Sequence, residues 1–83
     1  MTVEQIEIFL KNNPLKSGKS ASITFKKRNA IQGLFIEAAD YAELKKRNFW
    51  RIVVAGRMEE YLQSKDINLS RIFNGDEFSK LNA

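Results

Sequence analysis

Two basic triplets, Lys26-Lys27-Arg28 and Lys45-Lys46-Arg47, are the residues of this 83-residue chain best placed to do chemistry. That chemistry is electrostatic. Lysine and arginine neutralise phosphates, so binding is largely independent of sequence and weakens with salt. Tyr41 and Trp50 flank the second triplet. An aromatic ring beside such a cluster can stack on an unpaired base, worth about 1–3 kcal/mol. Asn74 can hydrogen-bond a base edge. Each reading has a plainer partner: a lysine-rich solvated face, a core role for Trp50, and a turn supplied by Asn74 ahead of Gly75. Lys26, Lys27, Arg28, Tyr41, Lys45, Lys46, Arg47, Trp50 and Asn74 are therefore the candidate nucleic-acid-binding residues.

The charge is unevenly distributed. Lys11 to Arg57 holds eleven Lys and Arg against three carboxylates (Glu37, Asp40 and Glu43), a local charge of +8 within a total of +4. The flanking segments are acidic, and a basic middle suits an anionic partner such as nucleic acid. Cysteine and histidine are both absent. That removes disulfides, thiolate catalysis, Cys-based metal sites and His-based triads. Glu59-Glu60 and Asp76-Glu77 are adjacent pairs whose side chains diverge on a helix or a strand, so neither is an acid–base dyad. No enzyme activity, cofactor or metal is expected. The string Gly18-Lys19-Ser20 is not a phosphate loop, because Asn13 stands where the upstream glycine belongs and no strand precedes it. It reads as a basic linker.

The elements that must position these residues follow from periodicity. Thr2 and Gln5 form a capping box, and Val3, Ile6, Phe9 and Leu10 share one helical face as far as Asn12-Asn13-Pro14. Ala21, Ile23 and Phe25 alternate with polar residues as a half-buried strand. Lys27 to Ala30 makes a turn into a second strand, Ile31–Ile36, whose interior Gly33 fits a bulge, a close backbone approach or, the reading taken here, a sharp bend, with an incidental surface glycine as the plainer alternative. Tyr41–Asn48 reads either as two helical turns or as a polar loop. F-W-R-I-V-V-A, residues 49–55, is the strongest β segment. Arg57–Lys65 fits a helix or a returning strand. Ile67–Phe73 reads as a strand, Asn74-Gly75 as a hairpin turn needing positive φ, and Glu77–Leu81 as a final strand. One domain spans 1–83, with a helix over 1–13 and a β-barrel over 21–81.

An amphipathic helix followed by five short strands, with a glycine bend in the second, resembles the Sm-like family (Sm and Hfq-type proteins). Ile23 and Phe25 match the apolar positions that open the family's first motif, and Asn29 its turn. Ile31, Gly33, Phe35 and Asp40 match the positions that follow. Phe73-Asn74-Gly75 and Phe78 resemble the second motif. The chain departs from the pattern at Ala30, at Tyr41–Leu44 and at Asn74, and has no histidine for the lysine–histidine pair. The resemblance thus implies the layout, while these departures fall on residues of the family's uridine pocket. It implies a mainly β fold with an N-terminal α-helix, a small, strongly bent five-stranded antiparallel Sm-like (SH3-like) barrel. It also implies binding of single-stranded RNA and assembly into a homo-oligomer. The alternative is an assembly module that oligomerises through strand edges without nucleic acid. The opening residues do not read as a signal peptide and no apolar run approaches the length of a membrane span, so no membrane role and a cytoplasmic location are expected.

Overall fold

A computed structural model describes residues 1–13 and 20–83; the linker reading of Lys16–Ser20 lies outside the described residues except for Ser20. Helix α1 (Val3–Asn12) starts as its sequence dictates. The Thr2 hydroxyl accepts from the Gln5 amide at 3.2 Å, and the Gln5 side chain accepts from the Thr2 amide at 2.9 Å. Five strands follow: β1 (Ala21–Phe25), β2 (Ile31–Phe35), β3 (Phe49–Val54), β4 (Arg71–Asn74) and β5 (Phe78–Asn82). They form one antiparallel sheet in the order β4-β3-β2-β1-β5. Two short helices interrupt it, α2 (Tyr41–Lys46) and α3 (Met58–Ser64). Both segments that periodicity left open are therefore helical.

Two expectations give way. Ile67–Phe73 is not one strand: Ile67–Leu69 is a 3-10 turn, and only Arg71–Asn74 pairs with β3. The Asp66 side chain accepts from the Asn68 amide at 2.9 Å, so local side-chain hydrogen bonding prevails over the ladder. Asn74-Gly75 is likewise no hairpin, since β4 and β5 lie at opposite ends of the strand order. Gly75 opens a 3-10 turn and does not adopt positive φ, and the Asn74 carboxamide accepts from the Asp76 amide at 2.9 Å. Glu77 belongs to that turn and β5 begins at Phe78.

The sheet curls onto itself. β1 and β4 are three strand spacings apart, about 14 Å in a flat sheet. The Phe25 ring on β1 nevertheless lies 5.8 Å from the Phe73 ring on β4. Ile23, Phe25, Trp50, Ile52, Phe73, Phe78 and Leu81 fill the concave side together with Ile6 of α1. On β2 the alternation sends Ile31, Gly33 and Phe35 inward and Leu34 outward, where Leu34, Ile36 and Val53 pack against Met58, Tyr61 and Leu62. The 58, 61, 62 spacing is one face of α3, which covers the outer side of β2 and β3.

Gly33 is required by space. A Cβ there would stand 2.5 Å from Ile52 Cγ2 and 3.3 Å from the Val53 carbonyl oxygen. Ile52 is fully buried and β-branched, so it cannot turn aside. Gly33→Ala is expected to lower stability by about 1–3 kcal/mol in urea unfolding, as overpacking does. Gly56→Ala, where an added Cβ meets nothing within 4 Å, should change it by less than about 1 kcal/mol.

Candidate nucleic-acid interface

The curl carries the first triplet to the rim of β4. The exposed loop Lys26–Arg28 leaves β1 and is held to the 3-10 turn by a 2.9 Å hydrogen bond from the Lys26 amide to the Glu77 carbonyl. The Arg28 guanidinium lies 5.0 Å from the centroid of Phe25 and 5.9 Å from that of Phe73, so two rings orient it by cation–π attraction. Three adjoining grooves follow from this point. A groove of about 410 Å³ is lined by Phe25, Lys26, Lys27, Arg28, Asp76 and Glu77. A second, of about 310 Å³, shares Arg28 and Glu77 with it and adds Phe49, Ile72 and Arg71. A third, of about 330 Å³, shares Arg71 with the second and adds Arg57, Asn68, Val54 and Leu69. Arg28 and Arg71 thus link the grooves into a path along β4. Its first part is of mixed sign, because Asp76 and Glu77 stand among the cations.

Beneath this path a buried corner fixes the turn. Asn48 sits in the left-handed region with φ 61°, as an asparagine after a helix readily does. Its Nδ2 donates to the Met1 carbonyl at 2.8 Å and to Asp76 Oδ1 at 2.9 Å, and its Oδ1 accepts from Trp50 Nε1 at 2.8 Å. Its carbonyl accepts from the Gly75 amide at 2.7 Å. The Met1 amino group donates to the carbonyls of Gly75 and Phe78, each at 2.9 Å. A Cβ on Gly75 would fall on Asn48 Oδ1 and stand 2.7 Å from Ile6 Cδ1.

The aromatic candidates part company here. Trp50 is 2% exposed, and Phe35 and Tyr41 approach it edge-on at 6.1 and 6.0 Å. It is a core residue with its N–H already engaged, so a role in stacking on bases is withdrawn. Tyr41 is half-buried; burial first, and then Glu37, pushes its hydroxyl above the usual range. Asn74 is committed through its side chain to the Asp76 amide, the plainer of its two readings.

The second triplet is also less available than the first. Lys45 pairs with Glu7 at 3.1 Å, tying α2 to α1, and this contact raises its pKa. Lys46 pairs with Glu43 at 3.6 Å. Arg47 is exposed. Asp40 receives the Arg51 guanidinium from two sides, Nη2 at 2.8 Å and Nε at 3.0 Å, while Arg51 Nη1 reaches the Ser70 hydroxyl at 3.2 Å. This pair joins the start of α2 to β3 and takes Arg51 out of any anion site. Among the described residues no group of carboxylates could hold a metal ion, and no helix is long and apolar enough to cross a membrane.

The sequence reading missed Arg57 and Arg71. They are single cations in stretches without a triplet, and only the pairing of β4 beside β3 brings them to one groove. Strand alternation gives no help with Arg71, which shares a face with the buried Phe73 and is exposed because it stands at the strand's first position. No protein-family model matches the chain, and neither a search of curated proteins nor one of solved structures finds a similar protein.

Asp40 gives a pH signature. The Arg51 hydrogen bonds hold its carboxyl below the usual range. A carboxylate with a lowered folded-state pKa contributes stability above its unfolded pKa, and that contribution fades as pH falls through the folded value. The stability difference between the parent chain and Asp40→Asn, from urea unfolding, should be constant near neutral pH. It should shrink towards zero as pH drops below the ordinary carboxylate range.

Proposed function

We propose that this chain is a small Sm-like barrel module that binds single-stranded RNA along the groove path beside β4. The observation that carries the reading is the continuity of exposed cations, Lys26, Lys27, Arg28, Arg71 and Arg57, through grooves that share Arg28 and Arg71. Among the described residues none of these five is paired with a carboxylate. Arg28 supports it further: an exposed guanidinium within cation–π distance of two phenyl rings is a group on which an unpaired base can stack. Phe49, half-buried in the second groove, adds an aromatic surface. The strand order, the glycine in β2 and the helix ahead of β1 support the Sm-like layout, with the curled sheet as its barrel wall.

A second reading, assembly through a strand edge, has its own observation. The bond from Gly75 to Asn48 sets the phase of the β3–β4 ladder, so Phe73 and Arg71 turn their backbone groups to β3 and Ile72 turns its own outward. Ile72 is 49% exposed on that open edge. An unpaired edge carrying an apolar side chain is a template for another strand.

One titration separates the two. Fluorescently labelled oligouridine should bind the parent chain and lose affinity steeply between about 50 and 200 mM salt. Neutralising Lys26, Lys27 and Arg28 to glutamine should weaken binding more than the same change at Lys45, Lys46 and Arg47, whose lysines are already paired. Absence of RNA binding at the lower salt contradicts the proposal. If light scattering then shows a multimer that Ile72→Lys dissociates, the edge reading takes its place.

A further inference from the structure

The third groove differs from the other two in charge. Its lining holds two arginines, Arg57 from the 3-10 turn after β3 and Arg71 at the first position of β4, together with Asn68. Among the described residues no carboxylate lines it, whereas Asp76 and Glu77 line the first groove and Glu77 the second. Among the described residues neither arginine has an ion-pair partner. Two like charges lining one groove repel each other, and an anion bound between them relieves that repulsion. Arginine is suited to the task because its rigid fork of donors matches a phosphate two oxygens at a time. Asn68 can add a neutral donor. Val54 and Leu69 provide an apolar flank, which lowers local screening and strengthens the attraction.

The position is defended by the fold rather than by chance. Asp66 fixes the turn that carries Asn68 through its 2.9 Å bond to the Asn68 amide, and the Ser70 amide donates to the Ile67 carbonyl at 3.0 Å just before Arg71. Arg51, one strand away, binds the Ser70 hydroxyl at 3.2 Å and so braces the same corner without entering it.

We infer that the groove between Arg57, Asn68 and Arg71 is a phosphate-binding subsite at the far end of β4 from the Lys26–Arg28 loop. Its assignment to a phosphodiester of bound RNA rests on the function proposed above; the affinity for a phosphate group does not. The two possible sources, an RNA backbone or a free phosphate, share that chemistry and are separated by the test.

The experiment follows the Asn68 side-chain amide and the Arg57 and Arg71 Nε–H signals of the full chain by nitrogen-15 NMR. The chain is titrated with oligouridine and, separately, with inorganic phosphate. Binding of oligouridine is measured in parallel for the parent, for R57A/R71A and for R57K/R71K. The inference expects oligouridine to shift all three signals. It expects R57A/R71A to lose about tenfold or more in RNA affinity, a lower bound set by one charge-assisted contact when two are removed. The salt dependence should become shallower by about 0.7 per phosphate released. The lysine variant should recover only part of the loss, because a point charge replaces a fork. Shifts with inorganic phosphate but no RNA binding by the parent would overturn the RNA function and leave a subsite for a free phosphate. RNA binding that R57A/R71A leaves unchanged, with no shift from phosphate, would overturn the subsite and leave the RNA function standing.

Discussion

The curled sheet presses neighbouring side chains against the backbone at Gly33 and Gly75, and neither place has room for a Cβ. At Gly33, β2 passes over Ile52 with no room for a methyl group. At Gly75, the turn between β4 and β5 lies against α1 and Asn48. Asn48 then fastens what the glycines permit. One carboxamide joins the Met1 carbonyl, the Asp76 carboxylate and the Trp50 indole, and one backbone carbonyl holds Gly75. Every buried side-chain polar atom among the described residues finds a partner, so hydrogen bonds offset the cost of burying this polar corner.

That curl decides where charge can act. The two triplets look equivalent in a list of residues, yet the fold gives them different surroundings. Lys45 and Lys46 sit on a short helix beside Glu7 and Glu43 and spend their charge on those carboxylates. Lys26–Arg28 stands at the end of a ribbon that bends back to β4, so Arg28 shares a groove with Arg71 from a distant part of the chain. In the proposed function the cationic path is therefore a product of sheet curvature, and anything that flattens the sheet removes the path without touching a basic residue.

Much of the fold was legible because local signals agreed with tertiary demands. The Thr2–Gln5 capping box, the period-two burial of Ala21, Ile23 and Phe25, and the glycine within β2 all stand where pattern put them. The misses have specific causes. Asn74-Gly75 carries the usual hairpin dipeptide, but Gly75 is there for space and the flanking strands never pair. Ile67–Leu69 is apolar enough for a strand, but Asp66 claims the Asn68 amide first. Trp50 beside basic residues fits a stacking platform or a core residue, and the alternation of β3 with Ile52 decides for the core. Arg57 and Arg71 were invisible because their proximity depends on the pairing of β3 with β4. Asn48 alone left a usable trace, an asparagine directly after a helix whose last turn is basic.

Curvature is the central claim, and the aromatic rings at its two ends report on it most directly. Nuclear Overhauser contacts between ring protons of Phe25 and Phe73 should be strong, since the ring centroids stand 5.8 Å apart. Their absence, in a sample that still shows the β1–β2 and β3–β4 cross-strand contacts, would mean an open sheet, and the cationic path along β4 would not exist.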